Sequence, residues 1–362
     1  MRDFVGRVPA GLKRRLATSG GRYPDFLGIG AQKSGTTWLS HNLQLHPGIW
    51  MPRLKELHYF DERIDDPRNP FFRLYSKIKG EGSTDRRWRR QLKGRLRHHR
   101  EHFSREEFLW DLKYYAGAAG DGWYASLFGP GGGKVAGEVT PAYATLEPEM
   151  VARVYDRMPE AKIIFLMRNP VERAWSQLAM RFARSKKRDV GTVTRKELRR
   201  NFEREGSKQR TDYLRTLGNW SSFYPREQIF VGFLEDIHFF PERLLGSVYA
   251  FLGVDPSFEP RGAGVRVHAR STGRMLTRSA AYLSRLYLEE LSRLDDRFGG
   301  YASFWRYGAE KLAADAPEEE YLPYPLWESV MWEEWIKEGA GRPAYQSGPL
   351  TRAEIPPRRQ KA

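Results

Sequence analysis

Apolar residues fall into two patterns along this chain. Continuous runs start at Phe26 and fill much of 135–139, 162–167 and 228–233. An apolar run without alternation, bounded by turn residues, marks a strand buried on both faces. Between the runs, apolar residues recur at helical spacing over 38–46, 147–158, 241–252 and 277–297, and in pieces over 195–224. Pro47-Gly48 ends the first of these helices, and Pro170 opens another that carries Val171, Ala174, Trp175 and Leu178. Strands alternating with helices predict an α/β fold: a P-loop-type central, mostly parallel sheet flanked by helices. Ligands of such sheets sit beyond the carboxyl ends of the strands. Residues 55–60 read as a short strand or a strand end, whose alternation would put Glu56 and His58 on one face.

The pattern also divides the chain. Residues 1–22 are expected to be a basic, flexible arm, and 23–310 the α/β domain, with a basic insertion at about 71–115. A helical extension follows at 311–338, where Trp327, Val330, Met331 and Trp335 form a stripe that would dock on the body. Residues 339–362 are rich in Pro, Gly and Arg and read as a disordered tail.

Composition narrows the partners. The chain has 362 residues, of which 40% are hydrophobic, enough for a large core. Its formal net charge of +16 favours anionic ligands. Part of that charge lies in the run 86–105, readable as a solvated surface or as a grip on an acidic ligand. Cysteine is absent, which excludes disulfides and thiolate metal sites and suits a cytoplasmic location. No stretch reaches the roughly 18 apolar residues of a membrane span.

The candidate chemistry begins where the first apolar run ends. Gly30, Gly35 and Thr37 match the pattern G-x-x-x-x-G-K-[ST], but Thr36 stands at the lysine position and Lys33 lies inside the loop. Such a strand–loop–helix turn aims backbone N–H groups and a helix N-terminus at one anion. The strand 162–167 closes with Arg168 where a Mg²⁺-dependent nucleotide site would carry an aspartate. A guanidinium there favours direct, metal-free phosphate binding, and Ser176 in the following helix could share it.

Taken together these segments resemble PAPS-dependent sulfotransferases. Lys33-Ser34-Gly35-Thr36-Thr37-Trp38 resembles the family's 5′-phosphosulfate loop, and the stretch from Arg168-Asn169-Pro170 to Ser176 its 3′-phosphate motif. Lys55-Glu56-Leu57-His58-Tyr59-Phe60-Asp61 and Gly137-Glu138-Val139-Thr140-Pro141-Ala142-Tyr143 resemble segments of the carbohydrate branch, such as heparan sulfate 3-O- and N-sulfotransferases. Val139 stands where that branch often has a lysine. Ser271-Thr272-Gly273-Arg274 is similar to the loop that closes over the donor's 3′-phosphate, with Thr272 replacing a lysine and the neighbouring cysteines missing. The resemblance implies PAPS as co-substrate with no metal required. It implies donor contacts from Lys33 through Trp38 and from Arg168, Ser176, Gly273 and Arg274. It further implies sulfuryl transfer to a hydroxyl of a carbohydrate or glycolipid, with Glu56 as base, Lys33 on the leaving oxygen and His58 as the rival base. Two other classes compete on the residues alone: a P-loop nucleotide kinase or NTPase, and a basic module for nucleic acid or acidic polymers. Nucleic acid is the less expected partner.

Overall fold

Every one of the four apolar runs forms a strand of one central sheet. The computed structural model describes residues 21–61, 75, 77–117, 119–185, 193–260, 274–315, 317–339 and 347–350. Strand β1 (Phe26–Gly30) leads through the loop into helix α1 (Thr36–Leu45), and β2 (Ile49–Trp50) follows. A helical hairpin, α2 (Ser83–Glu101) and α3 (Arg105–Ala116), precedes β3 (Val135–Val139). Next come β4 (Lys162–Met167), α4 (Pro170–Ser185) and β5 (Ile229–Phe233), then α5 (Leu234–Phe239) and α6 (Pro241–Leu252). Strand β6 (Arg274–Leu276) enters the long pair α7 (Thr277–Phe298) and α8 (Tyr301–Ala314). The C-terminal part adds β7 (Tyr321–Pro323), α9 (Val330–Glu338) and β8 (Gly348–Pro349).

The main sheet has the order β2-β3-β1-β4-β5-β8, parallel throughout except for the antiparallel edge strand β8. Burial on both faces explains the unbroken runs. In β4, Ile163, Phe165 and Met167 enter one core cluster, while Ile164 and Leu166 enter the other with α1 and α6. Successive side chains of a strand point to opposite faces, so both must be apolar. Truncating one such side chain to alanine costs about 2–5 kcal/mol.

Three departures from the sequence reading bear on the site. Residues 55–60 form no strand: Glu56 (φ 66°) and His58 (φ 57°) both adopt left-handed backbone. Strand β8 lies within the stretch read as a disordered tail, and Leu350 beyond it is buried. Helix α8 runs across the boundary placed at 310, because Phe304, Trp305, Ala309 and Leu312 are all buried along it. The N-terminal arm up to residue 20 and Ser271-Thr272-Gly273 lie outside the described residues.

Candidate active site

The loop after β1 is shaped as an anion receptor. Gly35 takes φ 87° at the N-cap of α1, a conformation that favours glycine, and a Cβ there would meet Ile237 Cδ1 at 2.3 Å. No side chain caps this helix, so the N–H groups of Thr36 and Thr37 at its start lack intrahelical partners. They and the helix dipole point to the same place. The Trp38 side chain is buried in the core under α1. Lys33 has φ 77° within the loop. Ser34 is fully buried beside Tyr213, whose hydroxyl donates to the Arg168 carbonyl at 2.8 Å.

Arg168 arrives from the carboxyl end of β4, adjacent to β1. Its Nη1 donates to the Lys33 carbonyl at 3.3 Å, which ties the end of β4 to the loop after β1. Its Nε and Nη2 donate to Glu172 Oε2 at 3.0 and 2.7 Å. Burial alone would disfavour the charge, but the Glu172 carboxylate beside it holds Arg168 protonated. Ser176 lies one turn beyond Glu172 on α4, next to the Tyr324 hydroxyl. Arg274 is exposed at the start of β6, and Gly273 lies outside the described residues.

The loop 55–61 carries Glu56 and His58, the two candidate bases, and β3 fixes its shape. Glu138, fully buried, accepts from the hydroxyls of Tyr124 (2.6 Å), Thr140 (2.6 Å) and Tyr143 (3.0 Å), and from Leu57 N–H at 3.3 Å. Tyr59 N–H donates to the Tyr143 hydroxyl at 3.0 Å. These bonds pin Leu57 and Tyr59 inward. The left-handed residues between them, Glu56 and His58, bring their side chains to a separation of 3.5 Å. Their proximity thus comes from backbone held by tertiary bonds and not from strand alternation.

Lys55 joins this loop to the phosphate site. Its Nζ lies 3.1 Å from Thr37 Oγ1, 3.4 Å from Thr36 Oγ1 and 3.3 Å from Glu56 Oε1. A cation therefore does reach the helix N-terminus where Thr36 displaced the usual lysine, but from another element. From α2, in the basic insertion, Arg87 places Nη2 at 2.8 Å from Glu56 Oε2 and Nη1 at 2.9 Å from His58 Nε2. Asp61 holds the other ring nitrogen of His58 at 2.7 Å.

Charge sets the resting protonation. Burial pushes Glu56 up, but the His58 hydrogen bond and the charges of Lys55 and Arg87 outweigh it and bring its pKa down to about 2. Burial pushes His58 down, while Asp61 and Glu56 pull it up to about 9 against the opposing charge of Arg87. The Arg87 contact to Nε2 is a hydrogen bond only when that nitrogen is unprotonated. Two flanking carboxylates against one guanidinium favour the imidazolium, so Arg87 belongs mainly to Glu56. At neutral pH the site holds an ionised Glu56, which can accept a proton, and a charged His58, whose ring nitrogens both carry protons and cannot. Lys55 is pulled down by burial, more than Glu56 restores.

Lys55, Arg87, Glu138 and Tyr324 were not among the candidate site residues. Lys55 stands inside a motif already quoted, so its signal was present. Arg87 was one cation among many in its run, with nothing in spacing to single it out.

The profile of the sulfotransferase family matches residues 24–260, from just before β1 to beyond α6. The chain belongs to the sulfotransferase family. This sulfotransferase is 29% identical over 158 residues to the membrane-associated sulfotransferase kil1 of Dictyostelium discoideum; the match covers 42% of the chain and 22% of that relative. Among solved structures it resembles a sulfotransferase from Alicyclobacillus acidocaldarius at 23% identity, covering 75% of this chain and 94% of that one, with a TM-score of 0.47. It also resembles the sulfotransferase domain of the Synechococcus PCC 7002 olefin synthase at 16% identity, covering 69% and 83%, with a TM-score of 0.45. Among the described residues, no group of three or more His, Asp or Glu could hold a metal ion. None of the described helices is long and apolar enough to cross a membrane.

Proposed function

We propose that this sulfotransferase moves a sulfuryl group from PAPS to an acceptor hydroxyl by in-line displacement, with Glu56 as the base. The observation that carries this reading is Lys55, whose ammonium touches both Thr37 of the phosphate loop and Glu56. It places an anion receptor and an ionised carboxylate on either side of one cation. The donor supplies an activated sulfuryl group on a phosphate leaving group. The uncapped N-terminus of α1, with Thr36 and Thr37, binds the 5′-phosphate. In this reading Lys33 and Lys55 meet the negative charge that builds on the leaving oxygen. Arg168 and Ser176 bind the 3′-phosphate.

Glu56 receives the acceptor's proton. Its low basicity at rest reflects the cations around it, so an incoming hydroxyl that displaces Arg87 would sharpen it. His58, held as the imidazolium by Asp61 and Glu56, orients Glu56 and does not compete for the proton. The acceptor is a carbohydrate or glycolipid by the resemblance of the 55–61 and 137–143 segments to the carbohydrate branch. A cytoplasmic location accords with the lack of cysteine; the relative from Dictyostelium is named as membrane-associated, so cell fractionation decides between the two.

The test is thermal stabilisation by 3′,5′-ADP in EDTA, compared with Mg·ATP and with duplex DNA. A ligand that binds only the native state raises its stability by mass action. Stabilisation by 3′,5′-ADP without metal is expected. Stabilisation by Mg·ATP or DNA alone would support a kinase or a nucleic-acid module instead.

A further inference from the structure

The segment after β7 lies outside the part of the chain matched by the family profile, which ends at 260. It is nonetheless fastened to the donor site. Strand β7 pairs with β6, Leu322 opposite Met275. Three residues past β7, Leu326 N–H donates to Glu172 Oε1 at 2.7 Å. The other oxygen of that buried carboxylate is the one that receives Arg168. One carboxylate thus anchors both the guanidinium and the segment.

Tyr324 lies between these anchors. Its ring faces the Arg168 guanidinium with the centroid 5.0 Å from Cζ. Its hydroxyl interacts with the side chains of Ser176 and Arg168. Burial pushes the phenol's pKa up, so the hydroxyl keeps its proton and is a hydrogen-bond donor. Arg168 has five N–H groups. Glu172 takes one from Nε and one from Nη2, and the Lys33 carbonyl takes one from Nη1, so at most one remains on each terminal nitrogen, and the Tyr324 hydroxyl draws on these. Glu172 also offsets much of the guanidinium's charge. A phosphate bound here therefore draws on neutral donors close by, and the two that converge are the hydroxyls of Ser176 and Tyr324.

We propose that Tyr324 is a donor-binding residue. Its ring holds the Arg168 guanidinium in place, and its hydroxyl joins Arg168 and Ser176 in receiving the nucleotide's 3′-phosphate. The proposal rests on the reading of Arg168 and Ser176 as the 3′-phosphate receptor. It assigns to the C-terminal extension a part in donor selectivity that the matched region alone does not contain.

Calorimetry of the full chain with 3′,5′-ADP and with 5′-AMP tests it, because the two nucleotides differ only in the 3′-phosphate. The wild type is expected to prefer 3′,5′-ADP. Tyr324→Phe, which keeps the ring, is expected to bind 3′,5′-ADP about tenfold to a hundredfold more weakly, the worth of a hydrogen bond to a charged group, with 5′-AMP unchanged. Tyr324→Leu, which also loses the stack on Arg168, should lose more of the preference. The ratio of the two affinities is an internal control for folding, since a merely structural defect lowers both. Undiminished preference in Tyr324→Phe, an equal loss on both nucleotides, or tighter binding of 3′,5′-ADP would each overturn the role of Tyr324. No preference in the wild type would overturn the underlying assignment of Arg168 and Ser176, and the proposal with it.

Discussion

Replacing Arg87 by methionine removes a charge that α2 brings to the 55–61 loop while keeping an unbranched apolar stem. The guanidinium sits 2.8 Å from Glu56 and 2.9 Å from His58, and it lowers the pKa of both. Two unit charges about 4 Å apart interact by about 4 kcal/mol at an effective dielectric constant of about 20. That is a ceiling, because the Arg87 side chain is 37% exposed and solvent screens it. A realistic loss is about 1–2 kcal/mol, or roughly a tenfold rise in proton affinity for each group. His58 gives the accessible readout, since its titration is held near 9. In an NMR titration of the histidine rings, the His58 transition should move to higher pH in Arg87→Met. The linked stability follows the same sign. His58 is raised from 6.5 to about 9, so its contribution is full below 6.5 and is lost as pH rises through about 9. In the variant that loss should shift to still higher pH. An unmoved His58 titration, or one that falls, would refute the charge arrangement described for this loop.

Other perturbations probe the remaining parts of the site. Lys33→Ala and Arg168→Ala should each weaken 3′,5′-ADP binding in calorimetry, and Lys33→Ala should also lower kcat. Unchanged affinity in Arg168→Ala would remove it from the donor site. On α2, Arg86, Arg90, Lys93 and Arg97 are exposed along one face, whereas Arg89 is turned to the carbonyls of Lys77, Ile78 and Gly80. Changing those four exposed residues to glutamine should raise the KM of an acidic acceptor and flatten its salt dependence, with donor binding unaffected; an unchanged KM would make this face simple solvated surface. Glu56 also predicts an acid effect. Depressed from 4.5 to about 2, it contributes stability above 4.5 that is lost as pH falls through about 2, and Glu56→Gln should blunt that loss in an acid melt.

Much of this arrangement was legible in the sequence because it rests on local rules. Strands β1, β4 and β5 are buried on both faces, so their composition alone announced them. The phosphate loop is contiguous, and Arg168 follows from the rule that ligands gather at the carboxyl ends of parallel strands. Glu172 falls four residues after Arg168, a spacing that already allowed the pair to meet. The 55–61 loop was misread because its apolar-polar alternation mimics a strand. Its left-handed residues depend on Glu138 and Tyr143, distant in sequence, holding Leu57 and Tyr59 by their N–H groups. Arg87 and Tyr324 were invisible for a related reason. Each reaches the site from a separate element whose placement is set by packing, Trp88 on α2 and Leu326 after β7 being the buried anchors. No local pattern distinguishes an arginine that points at a carboxylate from its exposed neighbours on the same helix.

The measurement that tests the central claim most directly is transfer of labelled sulfuryl from PAPS to hydroxyl acceptors in EDTA, with wild type, Glu56→Gln and His58→Ala side by side. Glutamine keeps the size and hydrogen bonding of Glu56 but accepts no proton. The wild type should transfer label without metal. Glu56→Gln should lower kcat by about 10²–10⁴, the usual worth of general-base catalysis, while still binding 3′,5′-ADP, and His58→Ala should lose less. Near-normal turnover in Glu56→Gln together with a dead His58→Ala would contradict the account and make histidine the base.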